Sequence, residues 1–294
     1  MSISLLTLSE VDSPRFRKER ITAMAHLQDI LLVTDIDGTL LHDKTGLSQG
    51  NLEAITRFIE KGGNFAVATG RVYGSALPYI EKIPFSIPSI YANGAYMVDP
   101  TDQSTICPHY LPEAADGYLA QIVRDFPHPI GGYCMDEDLV YVHEDHPKLD
   151  LLRNTGLFRF IYQAAEQFPK KKYKNMFNVD PLYMDELKRF ITERDYPGVQ
   201  FVASEPHLLE MLPEGVSKAN AIDELCRYLK LDSANVYAVG DYYNDIPMLE
   251  RAAHSVAVAN APAEVQAHAG LVVASCAEDG VARLIERIEK ECGA

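Results

Sequence analysis

Apolar positions along the chain follow two rhythms. The run Ile30-Leu31-Leu32-Val33-Thr34 is almost continuously apolar, the pattern of a strand buried on both faces. It stops at Asp35-Ile36-Asp37-Gly38-Thr39, where a glycine permits a sharp turn. Across residues 49–61, Leu52, Ile55, Phe58 and Ile59 recur at helical spacing, and Gly62-Gly63 ends that helix. Asn64-Phe65-Ala66-Val67-Ala68-Thr69 predicts a second buried strand, and a helix over 74–81 leads to Ser89-Ile90-Tyr91-Ala92-Asn93-Gly94. The same rhythm returns late in the chain. It predicts a helix over 218–229, a strand over 236–240 ending at Asp241, a strand over 255–259, a helix over 263–269, a strand over 271–274 and a last helix from Gly280.

Strands alternating with helices of this length predict an α/β fold, a doubly wound parallel sheet covered on both faces. Ligands of such sheets sit beyond the carboxyl ends of the strands, the edge to which Asp35, Asp37, Thr69 and Asp241 fall. The middle of the chain has the second rhythm. It predicts helices over 113–126 and 184–193 and strands over 139–142 and 199–202, in a stretch richer in aromatic and charged residues. The expected division is an N-terminal extension over 1–29, a core over 30–111 and 205–294, and an inserted α+β domain over 112–204. No internal repeat and no low-complexity segment interrupts it.

Of 294 residues, 47% are hydrophobic and 23% charged, an ordinary globular balance. The formal net charge of −15 repels phosphate backbones and anionic lipid, which argues against nucleic acid and membrane as partners. An anionic substrate then has to be held by local donors or a cation. The five cysteines are scattered without metal-ligand or redox spacing, as reduced thiols of a cytoplasmic protein are. No apolar run is long enough to span a bilayer, and the segment Ser13-Pro14-Arg15-Phe16-Arg17-Lys18-Glu19-Arg20 is unlike a secretory leader. Nothing in the sequence sets an oligomeric state.

A lone Asp-x-Asp-Gly is a common turn. Here a buried strand precedes it, so Asp35 and Asp37 leave the same strand end two residues apart and face one cavity. Carboxylates forced together persist around a cation or with a shared proton. Asp241, with Asn244 and Asp245, brings further oxygen donors to another strand end, a chemistry that suits Mg²⁺. Thr69 with Gly70-Arg71 offers a hydroxyl and amides at a strand-to-helix junction, and Lys218 opens a helix. Alone, the first reads as a cap and the second as a solvated lysine. Together, in this order and each at the proper end of its element, they converge on one site.

These segments resemble the four motifs of the haloacid dehalogenase superfamily: Asp35-Ile36-Asp37-Gly38-Thr39-Leu40, Ala68-Thr69-Gly70-Arg71, Lys218, and Gly240-Asp241-Tyr242-Tyr243-Asn244-Asp245. Asn93-Gly94-Ala95, Leu209-Glu210-Met211-Leu212-Pro213 and Glu278-Asp279-Gly280-Val281-Ala282 make the likeness closest to its Cof-type sugar-phosphate phosphatases. The resemblance implies a Rossmann-like core with a type-2 cap that selects a small phosphorylated metabolite. It implies Asp35 as nucleophile, Asp37 as general acid and base, and Thr69 and Lys218 as holders of the phosphoryl group. Gly70, Arg71 and Asn244 are implied on the substrate. Mg²⁺ is implied on Asp35, Asp241 and the main-chain carbonyl of Asp37.

The sequence departs from the pattern at Ala219, at the bulky Tyr242 and at Val258-Ala259, none of which removes a reacting group. Two other functions fit the motifs: a phosphomutase of the phosphomannomutase type, which a bisphosphate requirement would reveal, and a non-catalytic sensor of phosphorylated ligands. The basic run Lys170-Lys171-Lys172-Tyr173-Lys174 reads as a solvated face, and His143-Glu144-Asp145-His146 as a surface loop. Gly131-Gly132-Tyr133 fits a hinge or a specificity loop equally.

Overall fold

The computed structural model describes residues 26–42, 46–156 and 158–294. Most of the expected N-terminal extension lies outside these; of it, Leu27–Asp29 form a 3-10 turn. Five strands build the core sheet, in the spatial order Leu271–Val273, His254–Val258, Val236–Gly240, Leu31–Thr34 and Asn64–Val67, and every pairing is parallel. Side chains alternate between its faces. Leu32, Phe65, Val67 and Val239 pack with the helices Gln49–Glu60 and Gly280–Cys292, through Ile55, Phe58, Leu284 and Ile285. Leu31, Val33, Ala66 and Ala238 pack the other way, against Ile222, Leu225 and Met248 of the helices Lys218–Leu229 and Ile246–Arg251. Burying each large side chain contributes roughly 1.5–3 kcal/mol. The expected helix over 263–269 is shorter, Ala263–Gln266.

The second sheet has six strands, in the order Arg159–Tyr162, Leu139–Glu144, Ile130–Asp136, Asn175–Val179, Leu208–Pro213 and Val199–Glu205. It is antiparallel apart from the pair Arg159–Tyr162 and Leu139–Glu144. One face packs on the helices Ala115–Asp125 and Met184–Thr192 through Leu119, Ile122, Leu187 and Ile191. The other turns Tyr133, Met135 and Met176 toward the core. Leu208–Pro213 hydrogen-bonds to strands on both sides, so the sheet runs past residue 205, where the core was expected to resume.

Two sequence readings change here. Gly131 and Gly132 sit inside a central strand, where a Cβ would stand 2.4 Å from the Cβ of His146 and 2.6 Å from Cγ2 of Val123. They are glycines because neighbouring chains pass close, and the strand around them is neither hinge nor loop. The basic run is only half solvated. Lys172 and Lys174 are each 2% exposed and paired, with Asp116 at 2.6 Å and Glu210 at 2.8 Å. The like charges in sequence are separated by partners that composition does not reveal.

Candidate active site

Three loops at the carboxyl edge of the core sheet carry the chemistry. The first leaves Leu31–Thr34, anchored where the Asp35 amide donates to the Val239 carbonyl, 2.9 Å. It turns at Gly38, whose φ of +79° is left-handed and whose missing Cβ would lie 2.4 Å from Asp241 Oδ2. Only glycine lets the loop pass that close to the carboxylate. The second loop carries Thr69, whose Oγ1 accepts from the Arg71 amide at 3.1 Å. The third follows Val236–Gly240. There the Asp245 carboxylate accepts from the amides of Asp241 (2.9 Å) and Tyr242 (3.1 Å), pinning Asp241 in place.

Lys218 begins its helix beneath these loops, after Ser217 caps the Asn220 amide. Its ammonium, 1% exposed, donates to Asp35 at 2.5 Å and to Asp245 at 2.6 Å. Burial opposes its charge, but Asp245 and Asp35 outweigh that and raise its pKa, so it stays cationic. Burial also pushes the Asp35 carboxyl well above the usual range; Lys218 pulls it down, and Asp245 and Asp241 add to the rise. Asp241 goes up to about 7 through burial, which the 2.6 Å hydrogen bond from Thr39 opposes.

Asp35, Asp241 and Asp245 each offer an oxygen within 4.8 Å of the others, and no other such acidic, histidine or cysteine group occurs among the described residues. The donor set therefore fits a hard divalent cation: it is all oxygen, crowded, and offset by a single lysine. Asp37 stands apart from this cluster. Its two carboxylate oxygens take a fork of hydrogen bonds from Arg71, both 2.7 Å, at the mouth of the site.

A cavity of about 570 Å³ lies between this floor and the six-stranded sheet. Asp35, Asp37, Gly70, Arg71, Asp241 and Asn244 line it, whereas Thr69 is buried beneath, 1% exposed. Asp245 was legible as an oxygen donor, four residues after Asp241, but its place between Lys218 and the Asp241 amide was not. Sequence reasoning also missed a polar chain through the seam. Lys174 donates to the Gly70 carbonyl (2.7 Å) and to Glu210; Asn93 donates to Glu210 (3.1 Å) and accepts from Asn244 (3.2 Å). Alternation along 172–174 was the one available signal.

The profile of the haloacid dehalogenase-like hydrolases matches residues 32–285. Two similar curated proteins are the 5-amino-6-(5-phospho-D-ribitylamino)uracil phosphatase YitU of Bacillus subtilis and the pyridoxal phosphate phosphatase YbhA of Escherichia coli. The first is 25% identical over 260 residues, spanning 87% of this chain and 96% of its own. The second is 26% identical over 269 residues, spanning 87% and 97%. In fold, a haloacid dehalogenase-like hydrolase from Bacteroides thetaiotaomicron superposes with a TM-score of 0.78 at 24% identity, over 88% of this chain and 99% of that one.

Proposed function

Since the chain belongs to the haloacid dehalogenase-like hydrolase family and is a phosphoric monoester hydrolase, we propose that it hydrolyses small phosphorylated metabolites by passing the phosphoryl group through Asp35 to water. The observation that carries this reading is the buried contact of Lys218 with Asp35, 2.5 Å, at the floor of a cavity open to a ligand. An Asp35 oxygen attacks phosphorus as the bond to the leaving oxygen breaks, giving an aspartyl phosphate. Lys218 holds Asp35 and stabilises negative charge on the transferring oxygens. Asp37 protonates the leaving alkoxide, then takes the proton of the water that attacks the aspartyl phosphate. Arg71 keeps Asp37 oriented at the mouth, Gly70 and Asn244 line the phosphoryl group's surroundings, and Thr69 supports them from beneath, accepting from the Arg71 amide.

Mg²⁺ is the proposed cofactor, held by Asp35, Asp241 and the main-chain carbonyl of Asp37; when bound it supplies positive charge against the repulsion between carboxylate and phosphate. Asp245 already accepts three hydrogen bonds, which makes it the residue that positions Lys218 and Asp241. The six-stranded domain is the cap that selects the substrate, and we place the protein in the cytoplasm, in keeping with its five free cysteines. Among the described residues no helix is long and apolar enough to cross a membrane. Sugar phosphates are the substrates that the family resemblance implies. The mutase and sensor alternatives gain no support, because the named relatives are phosphatases.

The test exploits the leaving group. In Asp37→Asn, cleavage of a sugar phosphate falls by roughly 10²–10⁴-fold, the share a general acid supplies. With 4-nitrophenyl phosphate, whose nitrophenolate leaves without a proton, the first step proceeds and the second lacks its base. A stoichiometric burst of nitrophenolate follows, with phosphate trapped on Asp35. Equal losses for both esters and no burst would overturn the assignment.

A further inference from the structure

The fork between Arg71 and Asp37 is only as fixed as the backbone that carries Arg71. That backbone leads into the helix Tyr73–Ile80, and Arg71 leans on the helix twice. Its Nη1 donates to the Ser75 carbonyl at 3.2 Å, and its guanidinium lies over the Tyr79 ring, 4.6 Å from the centroid. The first amides of a helix have no partner within it and need an acceptor from outside. A serine, threonine, asparagine or aspartate at the cap position is the usual source. Here Val72 holds that position and has no side-chain oxygen to offer.

The acceptors come from further away. The Tyr73 amide donates to the Tyr96 hydroxyl and the Gly74 amide to the Glu137 carboxylate, both at 2.8 Å. The second oxygen of Glu137 faces the Tyr96 hydroxyl at 3.5 Å. Glu137 belongs to the six-stranded domain: with Asp138 it makes the turn between the strands Ile130–Asp136 and Leu139–Glu144. A carboxylate of one domain therefore caps a helix of the other, at the end where negative charge suits the helix dipole. Two features fit that contact. Glu137 has a φ of +51°, the left-handed region, where a two-residue turn favours glycine, asparagine or aspartate. Opposite it, a Cβ on Gly74 would stand 3.0 Å from Glu137 Oε2 and 3.3 Å from its carbonyl carbon, so the glycine admits the turn.

We propose that Glu137 is a positioning residue for the acid–base step: reaching from the cap, it fixes the first helical turn beside Arg71, and through Arg71 it aligns Asp37 with the leaving oxygen. The inference rests on the assignment of Asp37 and makes its alignment depend on the seated cap. With the two domains parted, the turn loses its acceptor and Asp37 its support. Glu137 itself lies outside the cavity lining and touches no reacting atom.

The experiment measures kcat/KM of the full chain with Mg²⁺ on two esters of similar size. Benzyl phosphate releases an alkoxide that needs a proton, and 4-nitrophenyl phosphate a nitrophenolate that does not. Because kcat/KM covers the steps up to release of the alcohol, the ratio of the first ester to the second isolates the acid. Glu137→Ala lowers that ratio by roughly ten- to a hundred-fold, the order of loss that a small misplacement of a reacting group causes. Glu137→Gln, whose amide oxygen still accepts from Gly74, keeps most of the ratio. Added to Asp37→Asn, Glu137→Ala leaves the ratio where it was, because the group that it positions is gone. Equal losses on both esters in Glu137→Ala, or no loss on either, would overturn the inference and leave the role of Asp37 standing. Multiplying effects of the two substitutions would overturn it too. An Asp37→Asn enzyme that does not discriminate between the esters would bring down the acid assignment, and no hydrolysis of either ester by the unmodified protein the phosphatase reading; the inference falls with each.

Discussion

The core sheet and the cap sheet solve opposite problems. The core sheet is parallel and apolar on both faces, and it keeps its polar groups at one edge, where Thr34, Val67-Ala68 and Gly240 give way to Asp35, Thr69 and Asp241. The cap sheet packs one face on its helices and spreads the other over the cavity, so cavity-lining side chains occur along the middle of its strands. Charge is buried in both, for different ends. At the core edge three carboxylates crowd together and one lysine pairs with two of them, Asp35 and Asp245, an excess of negative charge that suits a cation. In the cap, Lys172 with Asp116 and Lys174 with Glu210 are one-to-one pairs. A site is marked by imbalance, and a strut by balance.

Substitutions at each end of that contrast have graded effects. The largest is at the core edge: Asp35→Asn removes the proposed nucleophile and lowers kcat/KM on every ester by more than roughly 10⁴-fold, read in a steady-state phosphate-release assay. Retained turnover would mean that the imbalance at the edge is not catalytic. In the cap, Lys174→Met leaves Glu210 buried without its cation. Breaking such a pair costs about 3–5 kcal/mol, read as a lower midpoint in urea unfolding. A midpoint equal to that of the parent would erase the distinction between strut and site. The smallest effect is at the rim of the same basic run. Lys170 sits 3.3 Å from Glu113 with both side chains exposed, and Lys170→Met unfolds at the parent's midpoint within error.

The two regions were not equally legible in the sequence. Core strands announced themselves because burial on both faces demands continuous apolar runs, and Lys218–Leu229 and Val236–Gly240 fall where the pattern puts them. The residues at their ends were readable for the same reason: a polar residue that stops an apolar run has few places to go. The cap concealed more. Ile130–Asp136 has two glycines as its second and third residues, and Asn175–Val179 buries Asn175 and Asn178, so neither shows the alternation that signals a strand. The solvated reading of 170–174 held for Lys170 and Lys171 and failed for Lys172 and Lys174, because a lysine in sequence carries no mark of its partner, and Asp116 and Glu210 are distant in the chain.

The chain of contacts from Lys174 to Asn244 also bears on populations. Parting the two sheets separates Lys174 from the Gly70 carbonyl and Glu210 from Asn93. Hydrogen bonds to charged groups are worth about 1.5–3 kcal/mol each after exchange with water, so these two alone weight the closed arrangement over an open one by a factor on the order of 10²–10⁴. An arrangement with the two sheets parted is then the minor one. Glu210→Gln removes the charge that accepts from Lys174 and Asn93 and so shifts this balance toward the parted arrangement.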